Sequence, residues 1–188
     1  VLNERKKGPF KSFADLVATP IIISIYSSWA KRNTPFSWIF VGLSFGLVPL
    51  GVWLAFEPAG ILKAGQGLHP AGLMLAAMIA ITDWGFTNCD ASRDVAGDRE
   101  KGIPTTPATY GIPATARMVA GFWIIGVGLS LALGLAANLG WLYLAAAALA
   151  GGWLLWQNLD FVRHPTAERG ERLFYQSANY RAVLFAAL

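Results

Sequence analysis

The stretch NCDASRDVAGDREKGIPTTPATYG, Asn88 to Gly111, is a polar island between long apolar runs and holds four of the chain's eleven acidic residues. Asp90, Asp94 and Asp98 recur every four residues. On a helix each such carboxylate is turned only about 40° from the last, so all three project from one face. Like charges at that spacing repel by a few tenths of a kcal/mol per pair. The stripe therefore calls for a counter-charge. Mg²⁺ suits it, being a hard cation held by a few carboxylates together with phosphate oxygens. Arg93, Arg99 and Lys101 are interleaved with the acids and suit a phosphate-bearing ligand. Gly102 followed by Pro104 is expected to stop the helix. The bland alternative is a solvated loop whose charges mark a membrane boundary.

The flanks say which solvent this island sits beside. Of 188 residues 55% are hydrophobic and 14% charged, with eight Trp and twenty Gly. Soluble domains average about 45–50% apolar and 25% charged. The runs 36–56, 118–137 and 141–159 carry no charge until their ends, and each reaches or approaches the roughly 20 residues that cross a bilayer. The net charge of +4 then reads as topology rather than as nucleic-acid binding. A single cysteine, Cys89, excludes an internal disulfide and a Cys-based metal cluster. His69 and His164, each next to a Pro, read as boundary residues.

Six spans are expected: 16–30, 36–56, 71–87, 118–137, 141–159 and 173–188. The first is entered through 12–15, and 57–70 and 160–172 read as polar connections. Gly42 and Gly46, four apart, would let neighbouring membrane helices approach closely, and Pro49 would kink its helix or serve that approach. Asn138-Leu139-Gly140 makes an antiparallel hairpin of its two flanking helices. Asp83, near the end of the third span, is either part of the site or a snorkelling boundary residue. Alternation of six spans puts nine Lys and Arg on the side of the aspartates, against Lys63 in the opposite loops. That side is then cytoplasmic. Arg5, Lys6, Lys7 and Lys11 run against it. The fold expected is an all-α, multi-pass transmembrane helical bundle in one domain.

With the acids at one edge of such a bundle, the sequence resembles the UbiA superfamily of intramembrane prenyltransferases. Residues 94–111, DVAGDREKGIPTTPATYG, are similar to that family's second aspartate-rich motif, D-x-x-x-D followed by G-x-x-T-x-P. Residues 26–51, opening Tyr-Ser-Ser-Trp-Ala-Lys-Arg-Asn-Thr, resemble its Tyr-Ser-x-x-x-Lys-Arg-x-Thr stretch and the Gly-rich helix after it. Residues 171–177, ERLFYQS, resemble the opening of its last helix. The family's first motif, N-D-x-x-D, has no counterpart among the 25 residues before Tyr26. The expectation is a fragment, truncated at both ends, with about six of a probable nine helices and inactive alone. A degenerate homologue is the alternative.

The resemblance implies Mg-dependent transfer of an isoprenyl chain from its diphosphate to a small acceptor within the membrane. The acceptor expected is an aromatic quinone precursor; a glycerol-phosphate lipid or a porphyrin also fits the family. Asp94, Asp98 and Tyr26 would be catalytic, with Asp90, Asp94 and Asp98 on the metal and Lys31, Arg99 and Lys101 on the diphosphate. Neither nucleic acid nor an obligatory protein partner is implied. Two other classes compete. A CDP-alcohol phosphotransferase needs an upstream D-G-x-x-A-R that is absent from this sequence. A transporter with an acidic cation site would carry its acids mid-membrane on broken helices.

Overall fold

The computed structural model describes residues 18–56 and 70–187. The readings that fall on 1–17 and on 57–69, including the basic N-terminal cluster, Lys63 and His69, lie outside the described residues. Six long helices and two short ones make up the rest: α1 (18–33), α2 (Trp38–Phe56), α3 (Pro70–Arg93), α4 (Val95–Glu100), α5 (Thr106–Tyr110), α6 (Ile112–Ala136), α7 (Gly140–Arg163) and α8 (Ala167–Ala186). The all-α expectation holds. Among the described residues α3 and α6 are each long and apolar enough to cross a bilayer, and Trp38–Trp53 is a shorter apolar segment.

Several boundaries move. The third span does not stop at residue 87 but runs to Arg93, which carries the first aspartate into the helix. The expected 160–172 connection is mostly helix. Its break is confined to 164–166, where Thr166 caps α8 by accepting the Arg169 N–H (3.3 Å). Glu168 at the N-terminal turn and Arg163 at the end of α7 suit the two helix dipoles, so charges that look like a loop serve as helix ends. The α6–α7 turn is as expected: Asn138 (φ 52°) and Gly140 (φ 82°) take the left-handed conformations that fold the chain back.

An apolar core around Trp123, Leu154 and Phe161 holds small polar groups as well, and large apolar side chains also face outward. Ser92, Thr115, Ser130, Asn158 and Ser177 are buried, whereas Trp141 (79% exposed), Leu149 (77%) and Leu135 (66%) face outward. Lipid tails accept such side chains, so helix association rests on close contact and internal hydrogen bonds rather than on hiding apolar surface. Ser130 shows how: its hydroxyl donates to the Val127 carbonyl (2.8 Å) and accepts from Tyr180 Oη (2.8 Å), joining α6 to α8. Trp123 stands edge-on to the same tyrosine.

α3 is the central element, packed by α2 on one side and by α6 and α8 on the others. The α2–α3 contact needs glycine. A Cβ on Gly42 would fall 2.3 Å from the Trp84 ring and 2.6 Å from the Ala80 carbonyl, and one on Gly46 would fall 2.9 Å from the Ala76 carbonyl. Backbone so near cannot step aside. Gly42→Ala should therefore lose about 1–3 kcal/mol of stability in detergent unfolding. Gly128→Ala, whose Cβ meets nothing within 4 Å, should be neutral or gain up to about 1 kcal/mol from helix propensity. Equal responses of the two variants would contradict the packing.

Candidate active site

The aspartate stripe survives the end of α3. Asp94 sits at a bend (φ −92°, ψ 8°) between α3 and α4. Its N–H still donates to the Asp90 carbonyl (3.2 Å), and the Asp98 N–H donates to the Asp94 carbonyl (3.0 Å). The four-residue register is thus kept through the bend. All three aspartates line one cavity of about 190 Å³, which Tyr26, Lys31, Thr87, Asn88 and Thr105 also face. The expectation that Lys31 lies at the same membrane edge as Asp94 is met.

Tyr26 and Lys31 reach that cavity together because α1 is not a regular α-helix there. Five residues apart on an α-helix they would point about 140° away from each other. Tyr26–Ala30 instead forms a π-turn, in which the Lys31 N–H reaches back to the Tyr26 carbonyl. The wider turn brings residues i and i+5 to one side. From within this turn the Ser28 hydroxyl donates back to the Ser24 carbonyl (2.6 Å), the kind of back-bonding that bends helices.

The counter-charge to the stripe is partly internal. Arg93 reaches Asp90 Oδ1 (2.7 Å) through Nη2, and it holds both oxygens of Asp94 through Nε (2.9 Å) and Nη2 (3.0 Å). This bidentate hydrogen bond holds the Asp94 carboxyl below the usual carboxylate range. Arg93, expected to await phosphate, is thus engaged with the acids and, through its guanidinium, over the Phe174 ring at 5.5 Å. Asp98 accepts from Thr105 Oγ1 (2.9 Å).

Does the donor set fit Mg²⁺? Among the described residues no three acid, His or Cys groups converge tightly enough to enclose an ion by themselves. Asp90, Asp94 and Asp98 nevertheless present hard oxygens to one cavity. Mg²⁺ takes its ligands in that way, from one or two carboxylates with water and substrate phosphate completing the shell. The residues fit a shared site rather than a protein cage.

Other assignments shift. Arg99 does not line the cavity. Its guanidinium donates to the carbonyls of Pro107 and Ala108 (both 3.3 Å), closing the C-terminal end of α5. Lys101 is exposed and also outside the lining. Asp83 is neither a site acid nor a snorkelling residue. It is 3% exposed, and Oδ1 accepts from both Nη atoms of Arg181 (3.3 Å each) on α8. The guanidinium also stacks over Phe86 at 4.9 Å.

Asn88, Thr105 and Thr106 escaped the residue-by-residue reading, although the two threonines sit in the quoted G-x-x-T-x-P run. Trp38 Nε1 donates to Thr106 Oγ1 (2.9 Å), which donates to the Pro35 carbonyl. The segment after α4 is thereby fastened to the start of α2. Trp38, Trp84 and Phe122, with ring centroids 5.1–5.6 Å apart, pack together beside it.

The described residues thus form a bundle of membrane helices with an acid-lined polar cavity at one edge. The chain belongs to the UbiA prenyltransferase family, whose model matches residues 10–184. It is 29% identical to a protoheme IX farnesyltransferase of Gloeobacter violaceus, covering 94% of this chain and 58% of that protein. It is 34% identical to one of Mycobacterium tuberculosis, covering 92% and 54%. A solved structure, described as digeranylgeranylglyceryl phosphate synthase in membranes, matches with a TM-score of 0.77 at 18% identity, over 94% of this chain and 59% of that one. The chain thus spans a little over half the length of these proteins. Members of the family are integral membrane proteins, in keeping with the outward-facing apolar side chains above.

The Asp83–Arg181 pair yields a test of its own. Asp83→Asn strands a guanidinium inside the bundle, which should cost about 3 kcal/mol or more. The double change Asp83→Leu with Arg181→Met should recover most of that loss, because an apolar pair needs no compensation. Thermal unfolding of both variants in detergent measures the difference. Asp83→Asn unfolding like the parent would show that the pair carries no weight.

Proposed function

We propose that the whole protein transfers an isoprenyl chain from its diphosphate to an aromatic acceptor inside the membrane, with Mg²⁺ bound at the aspartate stripe. One observation carries the reading: a polar, acid-lined cavity shares a wall residue with an apolar one. Tyr26 lines both the 190 Å³ polar cavity and an apolar cavity of about 260 Å³ between α1 and α2. Phe45 and Val48 lie between the latter and a larger apolar cavity of about 800 Å³ walled by α2, α3 and α8. A diphosphate head with a long hydrocarbon tail has that polarity, in that order.

The reaction breaks the bond between the allylic carbon and the bridging oxygen. The electron pair leaves with diphosphate, the aromatic ring then adds to the carbocation, and the ring carbon that forms the new bond releases its proton. Bound at Asp90, Asp94 and Asp98, Mg²⁺ would neutralise charge growing on the leaving oxygens. Lys31 supplies a cation to the same oxygens. The Tyr26 hydroxyl, at the junction of the polar and apolar cavities, bonds the diphosphate or stands beside the cation. Apolar walls keep water from intercepting that cation. Arg99 and Lys101, which do not line the cavity, could meet phosphate only at its rim. The site faces the cytoplasm, a reading supported by the basic residues on its side of the bundle.

The acceptor proposed is a quinone-precursor ring. A porphyrin is the second reading, favoured by the name protoheme IX farnesyltransferase that the similar proteins carry. Assay of the full-length protein in membranes against hydroxybenzoate, a naphthoate and a porphyrin, each with a set of prenyl diphosphates, separates them. Prenylation of none of these with any donor would remove the proposal.

In the same assay Asp94→Ala and Asp98→Ala should each lower turnover by about a hundredfold or more, with insertion and expression retained. Lys31→Ala should be milder, and chelation of divalent ions should reproduce the aspartate losses. Near-normal turnover in both aspartate variants would reduce the stripe to a solvated boundary.

A further inference from the structure

Away from the aspartate cavity, on the outer side of the α7–α8 pair, a groove of about 580 Å³ is lined by Trp156, Arg163, His164, Arg169, Arg172 and Tyr175, with Asp160 among them. It lies at the same membrane edge as the stripe, because Gly170 at the start of α8 packs against Ser92 and the Cys89 carbonyl near the end of α3. Its charges are unbalanced. Asp160 is bound to Arg169 and to His164 Nδ1 (3.2 Å), and Glu168 at the rim holds Arg172 (2.6 Å). Arg163 is exposed and has no carboxylate within ion-pair distance among the described residues.

Above Arg163 the outward face of α7 changes character in steps. Leu149, Trp153, Trp156 and Arg163 succeed one another at intervals of four, three and seven residues, which keeps them on one stripe. All four are exposed, and the two indoles pack with centroids 5.1 Å apart and planes tilted by 38°. From Leu149 to Arg163 the helix rises about 21 Å. One leaflet, from bilayer midplane to outer headgroup, measures about 20–22 Å. With Leu149 at the midplane end, Trp153 and Trp156 stand about 6 and 10 Å above it in the acyl-chain layer and Arg163 reaches headgroup depth, which reproduces the order of acyl chain and phosphate in a phospholipid.

We propose that this groove is a binding site for an anionic glycerophospholipid, its phosphate held by Arg163 and Arg172 and its acyl chains laid along the Leu149–Trp156 face of α7. The site is separate from the aspartate cavity and does not depend on which acceptor that cavity serves. A membrane-borne phosphate fits better than a free one, because the charged groove opens onto a lipid-facing stripe rather than into an enclosed polar pocket. The carboxylates set its strength: Glu168 competes with the headgroup for Arg172.

The test uses the full-length protein reconstituted in phosphatidylcholine vesicles, with brominated phosphatidylglycerol or brominated phosphatidylcholine added to quench tryptophan fluorescence. The parent should prefer phosphatidylglycerol. Arg163→Gln should cut that preference about fivefold, the worth of one arginine near an anionic headgroup. Arg163→Lys should keep most of it, and Glu168→Gln, which frees Arg172, should raise it. Both Arg163 changes are at an exposed position and should leave circular dichroism unaltered, with Arg163→Gln losing only the side chain's share of the α7 dipole interaction. Equal quenching by the two lipids, or a preference unchanged in Arg163→Gln, would overturn the site. Loss of the preference on adding inorganic phosphate at constant ionic strength would overturn the lipid assignment in favour of a free anion.

Discussion

Three carboxylates kept in one four-residue register across the α3–α4 bend are a charge problem that the surrounding structure is arranged to answer. The repulsion between neighbours is small in water, but it grows where a cavity excludes solvent. Arg93 relieves it from within, bridging Asp90 and Asp94. Thr105 takes a share by donating to Asp98. Lys31 arrives at the cavity from a distant helix. None of these partners encloses the stripe, so it stays open to an outside cation and to the phosphates such a cation accompanies. The same opening explains why an arginine can be the counter-ion: it holds Asp94 ionised and oriented while leaving one face of the cavity free.

The second constraint is the bilayer. Where lipid surrounds a bundle, polar groups must find one another inside, and this chain pairs them across helices. Tyr180 meets Ser130, Arg181 meets Asp83, and Trp38 meets Thr106. Each bond joins elements that apolar contact alone would leave free to slide. Glycine then sets how near the helices come, with Gly42 and Gly46 allowing α2 to lie against the carbonyls of α3. Close backbone approach and a few hydrogen bonds take the part that hydrophobic burial plays in water. The cavities between α1, α2, α3 and α8 lie against this frame.

Local spacing carried much of the site. The i, i+4, i+8 aspartates, the Gly102–Pro104 stop, the α6–α7 hairpin and the glycine pair of α2 all stand where the residues imply. Spacing says less where a residue's surroundings depend on what faces it. Residues 160–172 read as a loop because they are charged, yet most of those charges complement helix ends or pair with one another across a three-residue break. Arg93 and Arg99 read as phosphate ligands because they are basic and lie near the acids. In the fold Arg93 serves the acids themselves, and Arg99 serves two carbonyls eight and nine residues on. Asp83 looked exposed to choice between site and surface because its helix was ended six residues too soon.

By itself, then, the sequence determined a helical membrane bundle with an acid stripe at one edge, since both properties are written in intervals of a few residues: apolar runs long enough to span, and carboxylates one helical turn apart. Only the tertiary structure decided which groups answer that stripe and which do not. Asp83 and Arg181 are 98 residues apart, and Trp38 and Thr106 are 68 apart, distances over which no periodicity links one residue to another. The π-turn that brings Tyr26 and Lys31 to one side belongs to the same category. A regular helix would have separated them, and the wider turn brings both into the cavity that α3 and α5 help to wall.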